Sequence, residues 1–332
     1  VRAVRIERHG EPADVVRLAD VPDPVPGPGQ AVLEVEAAAL NLPDVSLCRG
    51  SYLLRPTLPF TPGLDAGGVI GAVGPGVAPE LVGRRVTSVP ELPHGGLAER
   101  ALVAVDRLYE IPDAVPMVDA VAAQIVFQTA HLTLHHRGRL APGESVVVFG
   151  AAGGVGSAAL QLARLAGARV IAVAGGSAKA AFCLAHGADF AIDHVSTPDV
   201  AAAVRELTGG RGADLVVDPV GGPAFEQARR GAAVDGRILV VGFASGEIPS
   251  AALNDVLLKS YSLVGVYVGA YASTPEGRAL VQRTHAAVME LLAAGKIRPA
   301  IDRVVGLDGV AGALGDLAER RSVGKIVVDP AR

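Results

Sequence analysis

Residues 146–182 read VVVFGAAGGVGSAALQLARLAGARVIAVAGGSAKAAF. A run of apolar residues breaks into glycines, and small and apolar residues then return at helical spacing. Val146–Phe149 predicts a strand buried on both faces. Val155, Ala158, Ala159, Leu162 and Leu165 recur at helical intervals, so a helix begins near Gly154. Between strand and helix lies Ala151-x-Gly153-x-x-Gly156, which departs from G-x-G-x-x-G at its first position. Gly153 falls where a backbone must approach a ligand closely, and Gly156 where the helix must pack on the strand. A helix start presents free N–H groups and the positive end of a dipole. Ala152, Gly153, Gly154 and Val155 therefore form a candidate pyrophosphate site. The strand before, the helix after and a second strand at RVIAV turn a weak motif into a dinucleotide-binding expectation. A tight turn in some other doubly wound fold is the competing reading.

The end of that second strand bears on which dinucleotide binds. A site that prefers NAD usually carries Asp or Glu there for the ribose 2′-OH. Here the strand ends AVAGGSAK, with no carboxylate between Val170 and Lys179. Gly175 leaves room, Ser177 offers a hydroxyl and Lys179 a cation, a set that suits a 2′-phosphate and hence NADPH. The bland alternative is that Lys179 is a solvated surface lysine.

Outward from this stretch, apolar strands at FAI, ADLVVD, RILVVGF and SLVGVYV alternate with helical segments such as TPDVAAAVRELTG and PAFEQARRGAAV. Continuously apolar strands that alternate with helices imply a doubly wound parallel sheet, an α/β architecture. Upstream, MVDAVAAQIVFQTAHLTLHHRG has a long helical pattern. The first third is different: AVLEVEAAAL, GGVIGAVG, RVTSVP and LAERALVAV read as short strands between Pro- and Gly-rich turns, the pattern of a partly open barrel. After Gly269 the chain returns to helix and short strands. The expected division is 1–122 with 268–332 as one domain and 123–267 as the nucleotide-binding domain. SYSLVGVYVGAY, residues 260–271, reads as a long apolar strand, last in its domain and at a sheet edge, which invites pairing with a second chain.

Composition removes several function classes. Net charge is −4 and no basic run exceeds two residues, so no nucleic-acid partner is expected. Cys48 and Cys183 lie too far apart in sequence to suggest a disulfide framework or a zinc cluster. No apolar stretch reaches spanning length, so no membrane partner is expected. The first residues lack a signal-peptide core, and a cytoplasmic protein is the expectation.

NLPDVSLCRGSY, PGLDAGGVIGAVGPGV, GGLAERALVA, AAGGVGSAALQLARLAGARVIA and the closing SVGKIVV occur in that order. Together they resemble the medium-chain dehydrogenase/reductase superfamily, and within it the zinc-independent quinone oxidoreductase branch. The resemblance implies a GroES-like catalytic domain built from both chain ends around a Rossmann domain, with the cofactor in the cleft between them and a homodimer joined through the nucleotide domains. Zinc-dependent relatives carry Cys where this chain has Asn41, and His where it has Leu64. Neither can supply the thiolate or imidazole that zinc wants, so no metal is expected. Asp65 stands where Glu is more usual.

The same resemblance assigns the site residues. Tyr52 faces the cofactor cleft and acts as proton donor or oxyanion partner, against the alternative of a pocket wall. Asn41 hydrogen-bonds the nicotinamide ribose or the substrate carbonyl, against the alternative of a turn residue. Asp44 holds its loop. Thr129, Gly242 and Phe243 flank the nicotinamide, and His194 lies against the adenosine. His94, His131, His135 and His136 show no metal-ligand pattern, and Cys48 lacks a base. The expected activity is NADPH-dependent hydride transfer to a small quinone or enone. The alternatives are an enoyl-thioester or 2-alkenal double-bond reductase, and a non-catalytic NADPH-binding protein.

Overall fold

The computed structural model describes residues 1–332. The chain forms two compact units, residues 1–125 with 278–332, and residues 126–277. These divisions fall later than the expected 122/123 and 267/268.

In the first unit, β1 (Arg2–Ile6) pairs antiparallel with β2 (Val16–Asp20), and the short α1 (Pro12–Val15) joins them. Its main sheet is built on β3 (Gln30–Ala39), buried at Ala31–Leu33, Val35 and Ala37–Ala39 and exposed at Glu36. Then come α2 (Leu42–Arg49), β4 (Ala66–Val73), β5 (Arg85–Ser88), β6 (Arg100–Ala104) and β7 (Leu108–Glu110). Helix α3 (Met117–His131) follows, its residues from Val126 on belonging to the second unit. The last segments return to the same unit: β14 (Ile301–Val305), α11 (Val310–Ala318) and β15 (Lys325–Val328). The strand order is β14-β15-β3-β4-β5-β7, with β6 on β3. Val327 and Val328 lie opposite Ala39 and Ala38, which weaves the end of the chain into its beginning. Ile6, Leu33, Leu40, Leu47, Phe60, Ile70 and Leu97 fill the core.

The second unit alternates β8 (Ser145–Phe149), α4 (Gly154–Leu165), β9 (Arg169–Ala174), α5 (Ser177–Ala185), β10 (Phe190–Asp193), α6 (Val200–Leu207), β11 (Ala213–Asp218), α7 (Pro223–Gly231) and β12 (Ala232–Val240). Helix α8 (Leu253–Lys259), β13 (Ser262–Gly265) and α9 (Val268–Tyr271) follow, and α10 (Pro275–Ala293) leads out. All neighbouring strands are parallel, in the order β10-β9-β8-β11-β12-β13. Strand order reverses between β8 and β11, where a doubly wound sheet opens a crevice at its carboxyl edge. Every residue of β8 is buried, as a strand covered on both faces requires.

Three local expectations are corrected. The long apolar strand over 260–271 is only Ser262–Gly265. Its neighbour β12 stops at Val240, and the Val266 N–H takes the Val240 carbonyl. Beyond that point no backbone partner continues, so the chain closes its own hydrogen bonds in α9. The pattern PAFEQARRGAAV is helical only to Gly231, and Ala232 already pairs with Ala213. The helix from Met117 keeps α geometry to His131 and then widens to a π-helical turn over Leu132–Arg137.

Candidate active site

In the second unit the glycine loop lies between β8 and α4, at the reversal of strand order. Gly150 has φ +58°, and a Cβ there would stand 3.1 Å from Val220 Cγ2, in the turn after β11. Helix α4 starts at Gly154 with Gly153 as its N-cap, so the first free N–H groups point out of this loop. Gly242 and Phe243 follow β12 at the same sheet edge. The turns after β11 and β12 are tied by Ala244 N–H to Pro219 O (3.0 Å) and Ser245 N–H to Val220 O (2.9 Å). The Phe243 ring covers Gly221 and remains 41 % exposed. Ala152, Gly153, Gly154, Val155, Gly242 and Phe243 thus share one edge of the sheet.

A second cluster forms where β9 ends. A Cβ on Gly175 would stand 3.0 Å from His194 Nε2, so Gly175 and His194 are neighbours. Ser177 and Lys179 lie in the first turn of α5. Sequence reasoning missed Asp193. Its Oδ1 accepts from Gly176 N–H (2.7 Å) and Val195 N–H (2.9 Å), and these bonds hold the carboxyl below its usual range. A carboxylate is present after all, supplied by β10 and turned onto backbone. Thr129 is half-buried on α3, and its carbonyl accepts from Thr133 Oγ1 at 2.6 Å.

In the first unit Asn41 caps α2. Its backbone N–H donates to Asp44 Oδ2 (2.8 Å), and Gly63 N–H donates to Asp44 Oδ1 (3.1 Å), which gives Asp44 its loop-holding place. The Asn41 side chain donates from Nδ2 to Ala39 O (3.0 Å) and to Asp65 Oδ2 (3.3 Å). Its Oδ1 accepts from Lys325 Nζ at 2.6 Å. Lys325 also donates to Leu40 O (2.8 Å) and lies 3.8 Å from Asp65 Oδ2. Asn41 is 9 % exposed, Lys325 4 %, and Asp44 and Asp65 are fully buried. Burial pushes the Asp44 carboxyl up to about 6, against the pull of the Asn41 N–H and the Lys325 charge. Burial likewise raises the Asp65 carboxyl and lowers the Lys325 ammonium.

This geometry changes the reading of Asn41. Both of its N–H bonds are used inside the protein, so it has no donor left for a substrate oxygen. Acceptance at Oδ1 is what it can offer a ligand. Lys325 is the other residue missed from sequence. Its signal was a lone charge in the apolar run KIVV, all of which is buried.

Tyr52 lies just after α2, half-buried, with its ring against the core of the first unit. The buried Cys48 thiol is pushed up to about 12, so it holds no thiolate at neutral pH. His131 and His135 pack ring to ring at 4.6 Å, and burial pushes His131 down to about 4 and lowers His135. The zinc-ligand positions hold an amide already bonded at both ends and the hydrocarbon Leu64, and an ammonium stands beside the amide. No three His, Cys, Asp or Glu side chains are grouped to hold a metal ion. This donor set does not fit zinc.

Comparison with known proteins agrees with the architecture. Residues 27–113 match the alcohol dehydrogenase GroES-like domain, and residues 154–283 the zinc-binding dehydrogenase domain. Quinone oxidoreductase-like protein 2 of Mus musculus is 34 % identical over 98 % of this chain and 91 % of its own length. A quinone oxidoreductase structure from Pseudomonas syringae pv. tomato DC3000 superposes with TM-score 0.91 at 30 % identity, over 99 % of each chain. A mycobacterial structure described as complexed with NADPH gives TM-score 0.90 at 30 % identity, again over 99 % of each chain. With both domain types in place and whole-length likeness to these proteins, the chain belongs to the quinone oxidoreductase branch of the medium-chain dehydrogenase/reductase superfamily.

Proposed function

We propose that the protein is an NADPH-dependent reductase that transfers hydride to a quinone or another conjugated carbonyl without zinc. The observation that carries this reading is the donor set around Asn41, where a fixed amide and the hydrocarbon Leu64 stand in place of metal ligands and a buried ammonium lies beside the amide. Without a Lewis acid, a simple alkoxide has nothing to stabilise it. An acceptor that spreads negative charge through conjugation needs only positioning and a hydrogen-bond donor at its oxygen.

Bound NADPH supplies the hydride, two electrons and one hydrogen nucleus. The free N–H groups at the start of α4, from Gly154 and Val155, hold the pyrophosphate, while the Gly153 N–H is taken by the Gly150 carbonyl at 3.0 Å. Ser177 and Lys179 hold the 2′-phosphate, and His194, lying against Gly175, covers the adenosine. Asp193 fixes the turn after β9, its Oδ1 accepting from the Gly176 and Val195 N–H groups. Thr129, Gly242 and Phe243 line the nicotinamide. Asn41 Oδ1 accepts from a ribose hydroxyl, and Tyr52 donates to the acceptor oxygen. The proton that completes the reduced product comes from Tyr52 or water.

Tyr52 favours a second reading, a double-bond reductase for 2-alkenals or enoyl thioesters. The small-acceptor reading is preferred because no cluster of basic residues marks a coenzyme A phosphate site. No helix is long and apolar enough to cross a membrane. Two free, buried thiols fit a reducing compartment such as the cytoplasm. Strand β13 lies at the sheet edge, and beside it in sequence Leu253, Leu257 and Leu258 are each more than three-quarters exposed. An apolar patch at an edge supports a homodimer joined there.

The test is NADPH oxidation with a panel of quinones and enones, with and without a chelator. Turnover that survives chelation and metal analysis showing no zinc are expected. Stoichiometric zinc with chelator-sensitive activity overturns the zinc-free reading. Tight NADPH binding with no turnover on any acceptor favours a non-catalytic binding protein.

A further inference from the structure

We propose that Lys325 is a positioning residue that fixes the orientation of the Asn41 carboxamide and so decides which hydrogen bond Asn41 can make to a ligand. The proposal rests on the reading that Asn41 belongs to the cofactor site. A carboxamide can sit in two orientations of nearly equal shape, with oxygen and nitrogen exchanged. Here three partners choose between them. With Oδ1 toward Lys325, every contact is attractive: ammonium to oxygen at 2.6 Å, and amide N–H to Ala39 O and to Asp65 Oδ2. With the amide turned over, an N–H group would face the ammonium, and the oxygen would face a carbonyl and a carboxylate. All three contacts would become repulsive.

The arrangement is more than a tether between strands. Lys325 donates to Leu40 O as well, so its head group is held from two sides. Its counter-charge Asp65 holds the nitrogen end of the same amide. A buried pair of this kind is weak evidence for stability, since two hydrophobic residues often serve as well. What it gives is a single amide orientation next to the start of α2. Asn41 then presents an acceptor and no donor, which selects a hydroxyl such as that of a ribose over a carbonyl or an oxyanion.

Removing Lys325 alone would leave Asp65 buried without its partner, a change that can unfold a protein by itself. The test therefore uses the neutral pair Lys325→Met with Asp65→Asn, in which Asn at 65 can still accept from Asn41. Thermal melts establish that the pair variant is folded. NADPH affinity by fluorescence titration is then measured for wild type, the pair variant, Asn41→Ala, and all three substitutions together. The expected result is a loss of about tenfold for the pair variant, a similar loss for Asn41→Ala, and no further loss when they are combined. A merely structural role predicts that the losses multiply. Unchanged affinity in the pair variant, or multiplying losses, overturns the proposal.

A second measurement does not depend on the cofactor. In protein labelled at asparagine nitrogen, the Asn41 side-chain amide should show one slowly exchanging NH2 signal, lost in the pair variant. A signal that persists unchanged in the pair variant overturns the proposed control of orientation. Failure of wild type to bind NADPH would instead count against the proposed function, while this signal still judges the role of Lys325.

Discussion

Gly156 lies directly against the turn it follows: a Cβ there would collide with the Gly150 carbonyl oxygen and stand 2.6 Å from Ala151 Cα. Only a residue without a side chain lets α4 meet β8 this closely. Gly156→Ala must push the helix start away from the strand. A stability loss of about 1–3 kcal/mol is expected, the usual range for overpacking. NADPH affinity should fall with it, because the same helix start carries the pyrophosphate donors. Chemical denaturation and NADPH titration check this; an alanine variant with wild-type values for both would show that the helix moves without cost.

Lys179 is the cation assigned to the 2′-phosphate. Lys179→Ala should weaken NADPH by about 1.5–3 kcal/mol, the worth of a charge-assisted contact. NADH should be unaffected. Parallel titrations with the two cofactors decide the matter, and equal weakening of both would make Lys179 a surface lysine.

Tyr52→Phe keeps the ring, and with it the packing on the core of the first unit. If the hydroxyl donates to the acceptor oxygen, kcat and kcat/KM should fall together while NADPH affinity holds. A loss of about 10²–10³ is expected with enones, typical of one oxyanion donor. Quinones should lose less, because aromatisation already stabilises their reduced oxygen. Steady-state kinetics on both acceptor types give the comparison, and no loss on either would make Tyr52 a pocket wall.

His285 on α10 is 2 % exposed, and its Nε2 lies 3.0 Å from Glu110 O, so that nitrogen carries the proton of a neutral ring. Burial pushes its pKa down from 6.5 to about 4. The unfolded chain therefore takes up this proton first as pH falls. The stability His285 contributes is complete above about pH 6.5 and is lost on the way down to about pH 4. His285→Gln can still donate to Glu110 O but does not titrate. Between pH 7 and pH 4 it should lose less stability than wild type, by up to about 3 kcal/mol. Urea melts at the two pH values measure the difference; parallel losses would remove His285 from the acid response.

Strand β13 is short, and Leu263 on it is 39 % exposed at the sheet edge. Light scattering at micromolar concentration should give twice the 33.6 kDa chain mass. Leu263→Lys should shift the population toward monomer, since an edge lysine resists strand pairing. A wild-type monomer would reject the dimer.

The sequence by itself determined the parts whose causes are local. Apolar runs alternating with helical periods gave the strands and helices of the second unit, because side-chain period follows directly from backbone geometry. The glycine loop was legible for the same reason: Gly156 answers to close approach within a few residues, where a Cβ would meet the Gly150 carbonyl. Tertiary structure decided what depends on distant partners. Strand β13 ends where β12 can no longer hydrogen-bond it, a fact absent from its own apolar sequence. Asp193 reaches the end of β9 only because β10 lies beside it. The Asn41 amide takes its orientation from Lys325, 284 residues away. Burial turns such a polar contact from optional to obligatory, and burial is a property of the folded chain.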